Sequence, residues 1–308
     1  MLDESTKSDT TEASTSLFCA VGHNGLRVVS RDGLTWTNSQ TGKEGETYRA
    51  VYSGNGRTVA VGSYGGQNIF ASTADGMTWT TAKHDARYSR YVRGIGFGNK
   101  QFIGLGGDPG AVGDSKPFIM TTPDGVTWSE PAQITGRNML RRVAWGDGRF
   151  VAVGDRGRRA TSTDIVEWTD TPDVKALDTL IDVAFGAGVF VGGGLHGLRM
   201  TSGDGVTWTD RQTGEEGEHI NSIIWANDRF VAIGFGATFT SPDGHEWKRH
   251  TNRNAPQTAT FGNGVFVGAS WRGRILRSTD ASIWTQVHTA DQHVEALAFL
   301  HHSGQSSE

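Results

Sequence analysis

An aspartate stands four residues before a tryptophan at seven places along the chain. The successive tryptophans of these pairs lie 43, 49, 40, 40, 39 and 37 residues apart. The pairs are Asp32/Trp36, Asp75/Trp79, Asp124/Trp128, Asp164/Trp168, Asp204/Trp208, Asp243/Trp247 and Asp280/Trp284. A regular spacing of about forty residues indicates one supersecondary unit that is stacked repeatedly. The chain therefore has to fold as a series of similar units.

Residues 140–170 illustrate one unit. Short runs rich in Val, Phe and Trp, separated by Gly and Asp, predict strands joined by tight turns. We predict strand A at Arg141–Trp145, strand B at Arg149–Val153, strand C at Arg158–Ser162, and strand D from Glu167-Trp168. Four antiparallel strands in about forty residues make one blade of a β-propeller. The sequence thus predicts an all-β, seven-bladed β-propeller with four antiparallel strands per blade.

The two ends of the repeat region complement each other. The first repeat begins at residue 17 and supplies strands B, C and D, whereas Val294–Phe299 resembles a lone strand A. We expect the last strand to complete the first blade, because closure removes a free sheet edge. This predicts a single propeller domain over residues 17–300. The polar segments 1–16 and 301–308 are predicted to be disordered tails, since they contain too few apolar residues to order themselves.

Charge and apolar content exclude two classes of partner. The net charge is −4, and residues 1–16 contribute −3 of it through four acids and one lysine, so the repeat region is close to neutral. A strongly basic footprint would indicate nucleic-acid binding, and none is present. No apolar run reaches the ~18 residues of a membrane span. The single cysteine, Cys19, lies in an apolar run, which favours a buried side chain and leaves no intrachain disulfide.

The N-terminal segment bears on localisation. It lacks the apolar stretch of a signal peptide. Its composition resembles the spacer that follows a cleaved signal or a lipoprotein anchor, which favours a secreted or cell-envelope protein. A cytoplasmic tail is nearly as compatible with the same residues.

Each Asp–Trp pair is part of a predicted turn between strands C and D. A hydroxyl side chain stands two residues before each aspartate, and in five repeats a glycine follows it. Short polar side chains at such positions accept hydrogen bonds from nearby backbone N–H groups, and glycine permits positive φ. Ile165 and Ala281 stand where glycine is expected, so we predict that their two turns are less regular.

This S-x-D-G-x-x-W pattern resembles the Asp-box, or BNR, repeat propellers. That group includes sialidases, sortilin-type receptors, some xyloglucan-cleaving glycosidases and the photosystem II assembly-factor propellers. The usual box has one more residue between Asp and Trp, so the boxes here resemble a contracted variant. In that family the box is structural and lies away from the functional face. The resemblance therefore implies a structural role for Asp32, Asp75, Asp124, Asp164, Asp204, Asp243 and Asp280.

The predicted strand order places the D–A and B–C loops together around one mouth of the central channel, where a rigid scaffold would present function. Alignment of the A strands on an aromatic near their ends, including Tyr52, selects the residues at their beginnings. These are Arg49, Arg93, Arg141, Arg142, Asp182, Asn221, Gln257 and Glu295. Clustered arginines can bind a carboxylate or a phosphate bidentately. The alternative is that they pair with acids of neighbouring blades to hold the ring together.

The B–C loops add a second set of candidates, His23, Tyr64, His196, Trp271 and Arg272. Trp271 lies in a turn beside Arg272, a combination typical of sugar- or protein-contacting surfaces. The alternative is a tryptophan folded back over the blade edge.

Two loops suggest further sites. The third repeat is the longest, and its insertion over Gly106–Pro117 holds Asp108 and Asp114, whose oxygens suit calcium; a solvated turn is the alternative. The loops QTGKEGE and QTGEEGE make Glu44 and Glu46 equivalent to Glu216 and Glu218. Duplication explains this echo, and a matched acidic site is the functional alternative. The histidines show no metal-ligand spacing.

Two hypotheses for function follow. A sialidase set of arginines, a Tyr–Glu pair and an acidic Asp cannot be assembled from this chain, and no nucleophile elbow, P-loop or dinucleotide fingerprint occurs. We therefore favour a non-catalytic recognition or scaffold propeller that binds a glycan or a protein, without a cofactor. The alternative is a glycoside hydrolase with channel-mouth carboxylates such as Asp182 and Glu295. A homodimer is compatible with the sequence, which gives no direct sign of one.

Overall fold

The strands form seven four-stranded sheets: six consist of four consecutive strands, and one combines the last strand of the chain with the first three. The computed structural model describes residues 16–86, 90–108, 113–215 and 217–301. All pairings within the sheets are antiparallel, which confirms the predicted seven-bladed β-propeller. The predicted tails lie outside the described residues, apart from Ser16 and His301. No helix in the described ranges is long and apolar enough to cross a membrane.

The blades are numbered here from the one that contains the first strand, and each runs from an inner strand A to an outer strand D. The A strands are β28 (Val294–Leu300), β4 (Thr47–Gly54), β8 (Tyr91–Gly98), β12 (Leu140–Gly146), β16 (Leu180–Gly186), β20 (Ile220–Ala226) and β24 (Thr258–Gly262). The B strands are β1 (Leu17–Gly22), β5 (Arg57–Tyr64), β9 (Gln101–Gly107), β13 (Arg149–Gly154), β17 (Val189–Gly194), β21 (Arg229–Gly234) and β25 (Val265–Ser270).

The outer half of each blade is shorter. The C strands are β2 (Arg27–Ser30), β6 (Gln67–Thr73), β10 (Phe118–Thr122), β14 (Arg159–Ser162), β18 (Arg199–Ser202), β22 (Ala237–Ser241) and β26 (Arg274–Ser278). The D strands are β3 (Trp36–Gln40), β7 (Thr80–Asp85), β11 (Ala132–Gln133), β15 (Thr169–Asp170), β19 (Thr209–Gln212), β23 (Lys248–Thr251) and β27 (Thr285–Thr289). The helical turns in the described ranges are short 3₁₀ segments at Asp155–Gly157, Ala176–Asp178, Leu195–Gly197 and Trp271–Gly273.

The first blade is completed by both ends of the chain, as predicted. Strand β28 pairs with β1 from Leu17 opposite Leu300 to Gly22 opposite Val294. The observed last strand ends one residue beyond the predicted Val294–Phe299. Blade 1 therefore has the order β28-β1-β2-β3, and the chain forms a closed ring.

The hydrophobic core lies between blades. Each box tryptophan packs in a different apolar cluster. In six blades an aromatic near the end of strand A packs against a phenylalanine of strand B, with ring centroids 4.4–4.8 Å apart.

Cys19 is fully buried, as predicted. Burial raises the pKa of its thiol to about 12, so the thiol stays protonated and unreactive.

The C–D turns have one hydrogen-bond pattern. In the second repeat, the Asp75 carboxylate accepts the backbone N–H groups of Met77 and Thr78, both at 2.8 Å. The Thr73 hydroxyl accepts the N–H of Gly76 at 2.8 Å and donates to Asp75. These bonds occupy the aspartates in the turn, at the end of the blade opposite the channel mouth considered below. The contacts are consistent with a structural role.

The prediction of irregular turns at Ile165 and Ala281 is wrong. Both residues adopt positive φ, 71° and 65°, close to the 71° of Gly33. Their N–H groups donate to Ser162 and Ser278 at 2.8 and 2.9 Å, as the glycines do in the other repeats. The hydrogen bonds of the turn impose the left-handed conformation on residues that do not favour it.

Candidate functional site

The channel mouth at the beginning of the A strands is surrounded by the B–C turns, and we call this side of the ring the mouth face. The ladder between strands A and B shifts by one residue at this end in six blades. Each shift is a β-bulge, which leaves one residue unpaired and redirects its side chain. The bulge residues are Glu295, Arg49, Arg93, Arg141, Ile181 and Asn221 for blades 1 to 6.

The register corrects the alignment used for the sequence. Tyr52 is not the equivalent of the other A-strand aromatics, because Ser53 stands in the corresponding position opposite Thr58. These two hydroxyls bond at 2.7 Å where the other blades have an aromatic pair. The corrected register makes Arg49, Arg93 and Arg141 strictly equivalent. Arg142 and Asp182 each lie one residue further along their strands.

Arg49, Arg93 and Arg141 form a basic arc on blades 2, 3 and 4, whose inner strands β4, β8 and β12 are neighbours. The Arg141 guanidinium pairs with Asp155 through two bonds, one of them 3.0 Å long. Arg49 lies 3.9 Å from Glu295, at the edge of ion-pair distance. Arg93 has no ion pair with any described residue and lies beside the Tyr91 ring. The buried Nε atoms of Arg49 and Arg93 have no hydrogen-bond partner among the described residues.

The central arginine is electrostatically unfavourable in the free protein. Partial burial lowers the pKa of Arg93, the like charges of Arg49 and Arg141 lower it further, and Tyr91 and the Asp155 carboxylate raise it in part. An anion bound here would offset the repulsion among the three arginines, since carboxylates form strong charge-assisted bonds with guanidinium groups. Acids flank the arc on both sides, with Glu295 on blade 1 and Asp182 on blade 5.

A pocket of about 350 Å³ opens beside the arc at the channel mouth. It brings together several residues predicted from the sequence: His23, Arg142, Asp182, Asn221, Gln257, Trp271 and Glu295. Sequence reasoning missed Ser222, Thr258 and His293. His293 stands two residues before Glu295, and this nearness to a predicted mouth residue was the available signal. Below the mouth, the channel itself encloses about 440 Å³ lined by inner strands.

Asp182 links two blades. Its carboxylate accepts the N–H of Val183 at 2.9 Å and the N–H of Ile223, on the next blade, at 3.0 Å. Burial raises the pKa of Asp182, while Arg142 and these backbone donors lower it in part. Both carboxylate oxygens thus have partners within the fold, and Arg142 of the preceding blade lies 3.9 Å from Asp182.

His23, His293 and Glu295 meet where the chain ends join. The Nε2 atom of His23 lies 2.7 Å from Glu295 Oε1, and the ligand atoms of the three residues all lie within 4.8 Å of one another. Trp271 stacks on the His293 ring at 5.4 Å. Burial lowers the pKa of His293. The histidines have no metal-ligand spacing along the sequence, but the fold brings these three residues from distant positions into one group that could hold a metal ion.

The remaining B–C loop candidates lie outside this pocket. Tyr64 is flanked by Lys43 and Lys83, whose ammonium groups lie 5.9 and 6.0 Å from its ring. His196 contacts His219 instead, with ring centroids 5.5 Å apart. Arg272 holds a positive φ of 60° on the turn beside Trp271. Trp271 is 64% exposed, so it is not folded back over the blade edge.

Two loop predictions have different outcomes. Asp114 accepts the N–H of Lys116 at 2.8 Å, and among the described residues no third His, Cys, Asp or Glu side chain joins Asp108 and Asp114. The loop also includes residues 109–112, outside the described ranges, so the calcium site stays a prediction.

In the two loops of similar sequence, QTGKEGE and QTGEEGE, Glu46 and Glu218 accept N–H groups of their own turns. This local role is common to the two loops and supports duplication; Glu44 is exposed, and Glu216 lies outside the described residues.

Comparisons with known proteins show the fold. No family model and no curated protein match the chain. A structure of YCF48 bound to D1 peptide has a TM-score of 0.63 and 17% identity, covering 86% of this chain and 92% of that one. YCF48 from Cyanidioschyzon merolae gives 0.57 and 14%, covering 83% and 93%. A nidogen/laminin complex gives 0.53 and 10%, covering 79% and 98%. The chain is therefore a seven-bladed β-propeller with structural neighbours among the YCF48 propellers.

Proposed function

We propose that this propeller is a non-catalytic recognition module that binds an acidic, extended segment of a protein partner across its mouth face. The observation that carries the proposal is the position of Arg93. It is partly buried, has no ion pair among the described residues, and lies between two equivalent arginines. A ligand carboxylate at this point would supply the missing counter-charge.

The charge pattern also orients the ligand. Three adjacent blades carry the basic arc, and Glu295 and Asp182 stand on either side of it. An acidic group is attracted to the centre of the arc and repelled from its flanks. Such complementarity contributes more to specificity and association rate than to raw affinity.

Exposed aromatic side chains lie on the other half of the mouth face. Phe235, on the B–C turn of blade 6, is 76% exposed, and Trp271 is on the corresponding turn of blade 7. Large exposed aromatics are enriched at protein interfaces, where they supply much of the binding energy. We infer that they contact an apolar part of the same ligand. Peptide binding by one YCF48 structure, a propeller of the same fold, is in line with this function.

A binding assay tests the proposal. A fluorescein-labelled peptide rich in glutamate is compared with its glutamine counterpart by fluorescence anisotropy, in buffer with EDTA. The glutamate peptide should bind and weaken with added salt, because the pairs are partly exposed. Arg93→Gln should weaken binding roughly tenfold or more, since one charge-assisted bond contributes about 1.5–3 kcal/mol.

The matched control is Arg57→Gln. Arg57 belongs to the same hairpin as Arg49 but lies at its opposite end, beside the A–B turn. This variant should bind the peptide as the wild type does. Equal binding of both peptides, or unchanged affinity in Arg93→Gln, would contradict the proposal.

Two parallel assays test the alternatives that the protein binds a glycan or hydrolyses one. Binding on a glycan array that depends on Trp271 but not on Arg93 would favour a glycan. Turnover of a chromogenic glycoside that is lost in Asp182→Asn would favour the hydrolase. We favour recognition because the Asp182 carboxylate accepts two backbone N–H groups and Glu295 pairs with His23, so both carboxylates have partners within the fold.

A further inference from the structure

We propose that His23, His293 and Glu295 form a binding site for a divalent transition metal, with Zn²⁺ the best match, which joins the two ends of the chain and leaves one coordination position facing the mouth pocket. The inference is independent of the proposed peptide function. It rests on the side-chain geometry at the closure of the ring.

The ligand set has the right chemistry. Zinc prefers imidazole nitrogens and carboxylate oxygens, and three protein ligands plus one open position are typical of sites that bind a further molecule. The three ligand atoms already lie within 4.8 Å of one another. Metal–ligand distances of about 2.0–2.1 Å place the ligand atoms of a tetrahedral site about 3.3 Å apart, so the 2.7 Å pair of His23 and Glu295 has to open slightly and the wider separations have to close. Side-chain rotations of about 1 Å achieve this, because all three side chains are only partly buried.

The backbone holds the ligands in place before any ion binds. The N–H of His23 donates to the carbonyl oxygen of His293 at 3.0 Å. Next to this bond, the Asn24 side chain donates to Gln292 at 2.8 Å. Trp271 stacks on the ring of His293 at an interplanar angle of 16°, which restricts the orientation of the imidazole. Outer contacts of this kind orient metal ligands and influence affinity.

A neighbouring positive charge opposes the ion. The Arg49 guanidinium lies 3.9 Å from Glu295 and would repel a cation. Its side chain is 35% exposed, so it has room to turn towards solvent. We therefore expect Arg49→Gln to tighten metal binding, a result that a purely structural role of the cluster would not produce.

The open position defines what the bound metal contacts. The same pocket is lined by Asn221, Gln257 and Trp271 as well as by the three ligands. A metal here would present its free coordination site to this pocket. A water molecule or a carboxylate of a bound molecule has the oxygen donor that would complete the coordination.

Calorimetry with ZnCl₂ on chelator-treated full-length protein tests the site. We expect one ion per chain. His293→Gln and Glu295→Gln should each weaken affinity by at least about 100-fold, because changes to outer-shell partners alone cost about 10–100-fold. His196→Gln is the matched control. It alters the other histidine pair of the mouth face, His196 and His219, and should leave the affinity unchanged.

Two further readouts keep the test decisive if a variant is destabilised. Zinc should raise the melting temperature of the wild type, because it bridges both chain ends, and should leave that of His293→Gln unchanged. Cobalt should give the visible spectrum of a four-coordinate ion, and acetate should change that spectrum. Absence of zinc binding, or unchanged affinity in His293→Gln, would overturn the site. A cobalt spectrum that acetate does not alter would overturn the open position.

Discussion

Substitutions at two positions of the C–D turns can distinguish the contribution of backbone strain to stability from that of side-chain packing. Ala281 and Ile165 both have positive φ and are both buried. Ala281→Gly should change the free energy of unfolding by less than about 1 kcal/mol. Relief of about 1–2 kcal/mol of left-handed strain is offset by a lost methyl group of about 0.8 kcal/mol and a more flexible unfolded chain.

Ile165→Gly should instead destabilise the protein by about 2 kcal/mol. The same strain is relieved, but a buried side chain that packs against Trp168 and its cluster is lost. Urea unfolding of the two variants measures the difference. If both variants lost the same stability, packing of the Ile165 side chain would not contribute as proposed.

Residue positions also show what the sequence could and could not predict. Arg93 and Arg141 were found because each precedes its strand-end aromatic by four residues. Tyr52 misled the alignment because blade 2 replaces the usual aromatic pair with Ser53 and Thr58. His293 was missed because its partner His23 is 270 positions away in sequence, and only the closed ring makes them neighbours.

At the scale of structural elements, the C–D turns should make the stability of the fold decrease at acidic pH. Backbone N–H bonds from Thr127 and Val126 lower the pKa of Asp124 from 3.8 to about 2, and bonds from Thr78 and Met77 lower that of Asp75. A lowered folded-state pKa contributes stability above the unfolded value of 3.8. That contribution is lost as the pH falls through the folded value, so the urea midpoint should decrease between about pH 5 and pH 2.

Asp124→Asn isolates one turn. The amide oxygen can still accept both N–H groups, but it has no charge to titrate. The variant should have a lower urea midpoint than the wild type at neutral pH, and its midpoint should fall less on acidification. An unchanged pH profile in Asp124→Asn would mean that the box carboxylates do not produce the acid sensitivity.

Outer strands were the least predictable elements. The sequence placed strand D of blade 4 from Glu167, whereas β15 contains only Thr169–Asp170. Strand β11 of blade 3 is equally short. Inner strands are packed on both faces and show a clear apolar pattern, but an outer strand has one free edge and few buried residues. Its extent therefore depends on local hydrogen bonds, which leave little trace in the hydrophobic pattern.

At the scale of the whole molecule, closure was predictable because one strand was missing from the first repeat and one was left over at the end. The charge distribution of the mouth face was less predictable. Composition showed a nearly neutral repeat region. The basic arc on blades 2 to 4 and the acids on blades 1 and 5 become separate regions of the surface only when the blades are arranged in order around the ring. The most informative surface property therefore depends on the closed fold.

Closure itself gives the strongest prediction for the whole ring. Removal of residues 290–308 deletes β28, which leaves β1 without its inner partner and exposes apolar side chains such as Phe18 and Val21. We expect this truncation to abolish cooperative urea unfolding and to promote aggregation through the free edge. Deletion of residues 1–15 should leave the midpoint nearly unchanged. A synthetic peptide spanning 290–301 should restore cooperative unfolding to the truncated protein by pairing with β1. A truncated chain that unfolds at the wild-type urea concentration would show that the ring does not depend on this pairing.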